Sequence, residues 1–424
     1  MSPSANSSLG SSLQNPQGAN FRLSEVPANV ECRPVNLVAQ DGAPSRGLFY
    51  RPEGKRPNVG VHLMHPRTDQ SQNYNILPLV QAGYAVLGRA SRWPNNDVAT
   101  IHELLLLDVA AGVKFLNDQG CEQVVLLGNS GGGSLAIFYQ AQACRSGLRL
   151  TRTPAGDPLD LNSFDLPPAA AILLVGGHVG QGRLLGKMLD AAVVDEDDPI
   201  ASDSSLDIFD PANGFRTPPQ SSRFSPEFLA SVRAGQLDRA RRLDAKARRF
   251  IQETAESSAL MAGASPASQL RLSRAAKLGW HMIVYRTTAD PAFVDLSIDP
   301  DDRPVFTYFS GRPDLENYGE NGFARYVTPR AWLSTWSPLS SNAGAIDNLA
   351  HVGVPLLIVH YAGDAATRLA EVGAMCDAAS AKDKTLEIVR GLDHYGYPVT
   401  GDARVRSTTG TQVVAGWMRD RFPL

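Results

Sequence analysis

In the segment VVLLGNSGGG, residues 124–133, a run of residues typical of a buried strand is followed, after Gly128 and Asn129, by a serine and three glycines. The residues GNSGG match the pattern G-x-S-x-G, in which a serine occupies a tight turn between a strand and a helix. This turn strains the backbone, so the residues two positions to either side must be small enough for strand and helix to pass closely. Gly128 and Gly132 meet that need. Ser130 is therefore expected to be a nucleophile at the edge of a sheet rather than a simple helix N-cap.

Strand and helix patterns alternate on both sides of this turn. A hairpin pattern around Asp41 and Gly42 comes first, and apolar runs typical of buried strands then follow at residues 59–65, 84–88, 123–127, 170–176, 354–360 and 384–389. Helical patterns follow most of these runs, at residues 73–82, 100–118, 131–144, from about 367, and 411–421. Because strand-helix-strand crossovers are right-handed, this order predicts an α/β fold with a mainly parallel sheet and helices on both faces. Thr100 and Glu103 fit a capping box at the start of one of these helices.

The alternation stops for about 175 residues, far longer than the usual connection within such a sheet. We therefore expect a core formed by residues 31–180 and 350–424, with an inserted domain at 181–349. Residues 1–30 have no basic stretch followed by an apolar one, and their Ser-rich composition is typical of a disordered tail rather than a signal peptide.

The insert is predicted to be mostly helical. Residues 195–224 are acidic and rich in Pro and Ser, which indicates irregular structure, whereas 226–256 and 266–284 have helical periodicity. Acidic residues interrupt the basic run at 239–250, so we interpret that run as a solvated helix face. Aromatic residues crowd the end of the insert and are expected to form mainly its core, with some lining an apolar pocket; they are Phe306, Tyr308, Phe309, Tyr318, Phe323, Tyr326, Trp332 and Trp336.

Composition excludes several classes of partner. The 424 residues carry a formal net charge of -3, with 43% hydrophobic and 20% charged residues, which favours neither nucleic acid nor acidic lipid. No apolar run approaches the ~18 residues of a membrane span. The four cysteines lack the spacing of a metal site or a disulfide scaffold. We expect a cytoplasmic protein with a small-molecule substrate; the oligomeric state is left open.

In its serine turn and its strand order, the chain resembles the α/β-hydrolase superfamily over residues 31–180 and 350–424. The resemblance implies that the insert is a cap domain. In that family the nucleophile is followed along the chain by an acid and then by a histidine. The resemblance implies Asp364, after the strand at 354–360, as the acid and His394, after the strand at 384–389, as the base. Asp393 is the alternative acid.

The chemistry needs all three groups. A serine hydroxyl is a weak nucleophile until an imidazole takes its proton, and a carboxylate orients that imidazole and stabilises its cation. The Gly131 amide, at a helix N-terminus, is expected to bind the oxyanion. Many family members have His-Gly in the loop that supplies the second donor, but here Pro66 follows His65. Pro66 has no amide proton, so the Arg67 amide is the candidate, and His65 is expected to brace the loop.

The Arg67 guanidinium is an alternative ligand for a substrate carboxylate, or a salt-bridge partner. The remaining histidines show no ligand spacing, and no nucleotide-binding pattern occurs in a useful context, so neither a metal nor a cofactor is inferred.

The sequence favours a serine hydrolase that cleaves a carboxylic ester or lactone with a bulky apolar or aromatic part. Cleavage of a carbon–carbon bond in a diketone-like substrate, or of an amide or peptide, would use the same three groups. A serine in the turn disfavours dehalogenation, which requires a carboxylate nucleophile. A binding protein that has lost turnover is the remaining alternative.

Overall fold

A computed structural model describes residues 21–308, 312–320, 322–401 and 405–424. Its main sheet has eight strands, of which six lie before the insert and two after it. In chain order they are β1 (Val30–Val38), β2 (Pro44–Pro52), β3 (Val59–Met64), β4 (Ala85–Arg89), β5 (Gln123–Asn129), β6 (Ala171–Val175), β9 (Leu356–Tyr361) and β10 (Lys384–Val389). Two short strands of the insert, β7 (Met282–Ile283) and β8 (Tyr326–Val327), pair with each other.

Helices connect the strands and form much of the insert. In chain order they are α1 (Ile76–Gln81), α2 (His102–Asp118), α3 (Gly131–Ala143), α4 (Gln181–Met188), α5 (Pro226–Leu260), α6 (Pro266–Ala276), α7 (Pro313–Tyr318), α8 (Ala345–Leu349), α9 (Leu369–Ala378) and α10 (Thr409–Arg421). A helical turn, Pro329–Ala331, continues into a π-helix, Trp332–Trp336.

The sheet has the order β1-β2-β4-β3-β5-β6-β9-β10. Strands β4 to β10 of this sheet pair in parallel, whereas β1 and β2 form an antiparallel hairpin and β2 joins β4 antiparallel. The mainly parallel sheet predicted from the alternation is thus confirmed, as is the hairpin at its start. Its central strand β5 lies between β3 and β6 and leads directly into Ser130.

Both faces of the sheet are buried. Alternate residues of β6 belong to two separate apolar clusters, with Ile172 and Leu174 on one face and Leu173 and Val175 on the other. Helices α2, α3 and α9 cover the first face, and α1 and α10 cover the second. Because side chains on both faces of the sheet are buried, the central strands are continuous apolar runs in the sequence.

The insert lies between β6 and β9 and is less helical than predicted. The long helix α5 and helix α6 account for the two periodic segments, but after Ala276 the chain leaves the helix and forms β7. Much of the remaining insert consists of short turns and irregular backbone. Helix α8, placed in the insert by the sequence, packs instead against core helices α3 and α9.

The capping box predicted at Thr100 and Glu103 does not form. Helix α2 begins after Ile101 without a side-chain cap, and Glu103 is completely buried. Its carboxylate accepts hydrogen bonds from Ser334 Oγ at 2.6 Å and Asn342 Nδ2 at 3.0 Å, both from the 181–349 segment. Partners distant in sequence thus replace the capping partner that the sequence predicted, and the carboxylate joins α2 to the 181–349 segment.

The basic run on α5 is not a uniformly solvated face. Arg239 is completely buried and its guanidinium contacts Glu196 at 2.9 Å and the backbone carbonyl of Arg286 at 2.9 Å. Acidic residues of the preceding irregular segment thus neutralise part of the run. The interpretation as a solvated face was wrong for Arg239, because its acidic partner Glu196 lies 43 positions away and outside the run.

The tail boundary at residue 30 also lies too late. Leu23–Glu25 form a 3-10 turn, Phe21 packs against the Tyr50 ring at 6.2 Å, and β1 starts at Val30. Residues 1–20 of the predicted tail lie outside the described residues. Within the described part of the chain, no helix is both long and apolar enough to cross a membrane.

Candidate active site

Ser130 occupies the turn between β5 and α3. Its backbone has φ 54° and ψ -125°, a strained conformation for a residue with a side chain. The Ser130 N–H donates to the Val175 carbonyl at 3.1 Å, which ties the turn to the end of β6. The structure therefore places this serine at the carboxyl edge of the parallel sheet.

Gly128 and Gly132 allow the strand and the helix to approach each other. A Cβ on Gly128 would lie 2.4 Å from the Gly132 carbonyl oxygen, and a Cβ on Gly132 would lie 2.6 Å from the Met64 carbonyl oxygen. These obstacles are backbone atoms, which cannot turn aside as a flexible side chain can. Glycine is thus required at both positions for steric reasons.

Ser130, His394 and Asp364 form a continuous hydrogen-bonded chain. Ser130 Oγ lies 2.9 Å from His394 Nε2, and His394 Nδ1 lies 2.6 Å from Asp364 Oδ2. His394 is 3% exposed and Asp364 is completely buried. Residues separated by up to 264 positions are thus brought within hydrogen-bond distance.

Two loops at the same edge of the sheet deliver the partners of Ser130. Asp364 lies three residues beyond β9, and its Oδ1 accepts the backbone N–H groups of Ala366 at 2.8 Å and Thr367 at 3.3 Å. These bonds fix the carboxylate and leave Oδ2 for the imidazole. His394 lies on the loop after β10.

The acid and the histidine shift each other's protonation. Burial opposes the charge on His394, but the Asp364 carboxylate outweighs it, and the pKa of His394 is raised. Burial likewise opposes the Asp364 charge, but the imidazole and the hydrogen bond from it lower the pKa of Asp364 below its usual value. The pair is therefore prepared to stabilise an imidazolium when His394 accepts a proton.

Asp393 does not contact the imidazole as an acid partner would. Its Oδ1 accepts the backbone N–H groups of Tyr395 at 2.9 Å and Tyr397 at 2.8 Å. It therefore shapes the loop that carries His394.

The loop after β3 differs from expectation. His65 braces it, because its Nδ1 accepts the backbone N–H groups of both Arg67 and Thr68 at 3.0 Å. The Arg67 amide therefore points at the His65 ring, which contradicts its predicted role as the second oxyanion donor. Gly131, as the first residue of α3, has an amide that no intrahelical carbonyl accepts, and this amide stays the candidate donor.

The Arg67 guanidinium has partners of its own. It forms an ion pair with Asp97 and lies over the rings of Phe323 at 4.8 Å and Trp336 at 5.4 Å. The salt bridge considered from the sequence is thus present, and it neutralises the charge that a substrate carboxylate would require. The stacking links the β3 loop to the aromatic part of the insert.

The aromatic residues of the insert divide into two groups. Trp332 and Trp336 are completely buried, whereas Tyr318 and Tyr326 are 63% and 48% exposed. The Tyr308 and Phe323 rings meet edge to face at 6.1 Å, and the Phe323 and Trp336 rings stack at 5.6 Å. Near the histidine, the Tyr395 ring contacts the His394 ring at 5.0 Å. Phe309 lies outside the described residues.

Two residues near Ser130 were not singled out from the sequence. His178 and Gln181 lie on and just after the loop that follows β6, each 4% exposed. Their spacing has no recognised pattern. Their position after the carboxyl end of a parallel strand next to β5 was the one available signal, because such ends gather at a single edge of the sheet.

Comparisons with known proteins find only distant structural similarity. No family model matches the chain, and no curated protein does. Among solved structures, the esterase domain of a Rhodothermus marinus protein has 12% identity and a TM-score of 0.43, and covers 92% of this chain and 98% of its own. DcsB in complex with its substrate analogue has 14% identity and a TM-score of 0.47, with 92% and 97% coverage. The hypothetical protein PA2218 from Pseudomonas aeruginosa has 14% identity and a TM-score of 0.47, with 96% and 97% coverage. Similarities this distant carry no argument about what the chain does.

The fold follows from the molecule's own features. A mainly parallel sheet carries a serine on a strained strand-to-helix turn, followed along the chain by an aspartate and a histidine on the loops after its last two strands. These features define a nucleophile turn at the top of an α/β-hydrolase sheet. The chain therefore has the α/β-hydrolase fold, with an insert between the sixth and seventh strands of its main sheet.

Proposed function

We propose that this protein is a serine hydrolase that cleaves a carboxylic ester or lactone through an acyl-enzyme. The observation that carries the proposal is the hydrogen-bonded chain from Ser130 Oγ through His394 to Asp364. A hydroxyl, an imidazole and a buried carboxylate in this order form the arrangement that activates a serine for acyl transfer.

The residues act in sequence. His394 Nε2 takes the proton of Ser130 Oγ as that oxygen bonds to the acyl carbon, and Asp364 stabilises the imidazolium. The carbonyl oxygen becomes negative beside the Gly131 amide. His394 then protonates the leaving alcohol, the acyl group stays on Ser130, and water attacks it with His394 again as the base.

Aromatic residues near the triad support a bulky apolar or aromatic substrate. Tyr395 contacts the catalytic imidazole. Tyr308 is 6% exposed, and burial raises its pKa, an effect that the charge of Arg67 opposes and those of Tyr395 and Asp364 assist. Apolar rings near the reacting groups favour burial of a comparable part of the substrate. The same three groups would also serve an amidase or a carbon–carbon bond hydrolase, because the triad does not fix the leaving group.

The test is a turnover screen over aryl esters, lactones, amides and diketones, with Ser130→Ala as the control. The proposal expects esters or lactones to be turned over fastest and Ser130→Ala to be inactive. Full activity in Ser130→Ala would remove the proposed nucleophile. A diketone as the fastest substrate would replace ester hydrolysis by carbon–carbon cleavage.

A further inference from the structure

Three side-chain nitrogens converge beside Gly131, the residue that follows Ser130. A Cβ on Gly131 would lie 2.9 Å from His65 Nε2, 3.2 Å from His178 Nε2 and 3.5 Å from Gln181 Nε2. Glycine thus leaves room for two imidazole rings directly at the start of α3. The Gly131 amide belongs to the same residue whose Cα these three nitrogens approach.

The His65 ring presents an N–H group to this region. Its Nδ1 accepts two backbone N–H groups, so this nitrogen carries no proton. Burial, assisted by the charge of Arg67, holds the pKa of His65 well below its usual value, and the ring is therefore neutral. The single proton of a neutral imidazole must then be on Nε2, the nitrogen beside Gly131.

The His178 ring is held in the same way. Its Nδ1 accepts the Gly180 backbone N–H at 3.1 Å. Burial, assisted by the charge of His394, lowers the pKa of His178 to about 3, so this ring is also neutral with its proton on Nε2. Two independent loops, one after β3 and one after β6, therefore each place a protonated Nε2 beside Gly131.

A buried amide without a partner provides a second indication of a ligand. Gln181 is 4% exposed and lies near the His102 ring, but among the described residues neither its Nε2 nor its Oε1 has a partner with the distance and angle of a hydrogen bond. Leaving a buried polar group unpaired costs stability. A substrate oxygen in the region beside Gly131 would supply an acceptor that the fold itself does not.

We propose that the Nε2–H groups of His65 and His178, together with the Gly131 amide, bind the carbonyl oxygen of the substrate and stabilise its negative charge during acyl transfer. This inference rests on the proposed function. As the Ser130 Oγ–carbon bond forms, the electrons of the carbonyl double bond move to this oxygen and the serine proton moves to His394. The two imidazoles occupy the role that the Arg67 amide cannot fill.

The test measures ester hydrolysis and inhibition by a trifluoromethyl ketone that matches the best ester substrate. Ser130 adds to this ketone and leaves an oxyanion where the ester carbonyl oxygen would be. His178→Leu is expected to lower kcat by about 10²- to 10³-fold, the effect of losing one oxyanion donor, with little change in KM. Its affinity for the ketone is expected to fall by a similar factor, and His178→Gln, which keeps an N–H donor, recovers part of both.

A second variant avoids removing either ring. Gly131→Ala keeps the backbone amide but presses a methyl group against both Nε2 atoms, and it is expected to lower kcat and ketone affinity together. His62→Leu removes a buried imidazole that packs against Gly112 on α2, and it serves as the matched control with unchanged kcat.

The outcomes separate the two proposals. If the wild type hydrolyses esters and binds the ketone while His178→Leu and Gly131→Ala keep both properties, the imidazole proposal is overturned. A rise in KM with kcat intact in both variants also overturns it, because that pattern reports ground-state binding alone. If the wild type neither hydrolyses any ester nor binds the ketone, the proposed function itself fails.

Discussion

The histidines around Ser130 lie in two opposite environments. His394 Nδ1 contacts the Asp364 carboxylate at 2.6 Å, and the pKa of His394 is raised despite burial. His65 and His178 instead accept backbone N–H groups on Nδ1, and burial lowers the pKa of both. The partner on Nδ1 thus decides whether a buried imidazole becomes a base or stays a neutral donor.

Exchanging the carboxylate for an amide tests the His394 side of this comparison. Asp364→Asn is expected to lower kcat by about 10⁴-fold, because the amide neither stabilises the imidazolium nor holds the required tautomer. The measurement is kcat on the best ester substrate, with the folded fraction checked by circular dichroism.

The neighbouring aspartate provides the matched control. Asp393→Asn retains a side-chain oxygen that accepts the Tyr395 and Tyr397 N–H groups, so its kcat is expected to stay near that of the wild type. Equal losses in the two variants would mean that Asp364 has no special role in the reaction.

The sequence was informative about the Ser130 and His394 side for a local reason. The continuous apolar strands and the glycine-flanked serine are encoded by adjacent residues, so they indicated the sheet and the position of Ser130. The family resemblance built on these features then implied Asp364 and His394. The His65 and His178 side depends on which way each ring turns. That direction is set by backbone N–H groups at Arg67, Thr68 and Gly180, and these appear only in the folded loops.

The insert illustrates the same limit on a larger scale. Helix α5 was evident from its periodicity, but the burial of Arg239 depends on Glu196, which is 43 positions away. Glu103 was assigned a local capping role and instead contacts Ser334, 231 positions further on. Contacts of this range leave no periodic signal in the sequence.

The pH dependence of the rate distinguishes the two kinds of histidine. His394 must be neutral to accept a proton, and its pKa is raised above the usual 6.5. We therefore expect kcat/KM to fall about tenfold per pH unit at pH values below the pKa of His394. His65 and His178 stay neutral through this range and should add no second decline.

Residual activity of Asp364→Asn supplies the control for this profile. Without the Asp364 carboxylate, the weaker effect of the Asp393 charge is left to oppose burial at His394, so the decline should move to lower pH. A profile that stays in place in this variant would show that another group titrates.

The smallest expected effect concerns stability. Burial, with the charge of Arg89, lowers the pKa of His62 well below its usual value, so the unfolded chain binds a proton that the folded chain excludes. This contribution to stability is complete above pH 6.5 and is lost as the pH falls, by about 1.4 kcal/mol per pH unit for one imidazole. His62→Leu should therefore flatten the decline in the free energy of unfolding between pH 7 and pH 5, as measured with urea. A slope equal to that of the wild type would mean that His62 is protonated in the folded protein.

The most direct test of the active site is covalent labelling by a fluorophosphonate, located by mass spectrometry. We expect one adduct on Ser130 in the wild type and greatly slowed labelling in His394→Gln, because the hydroxyl then lacks its base. An adduct on another residue, or labelling of Ser130 at the same rate in both proteins, would contradict this expectation.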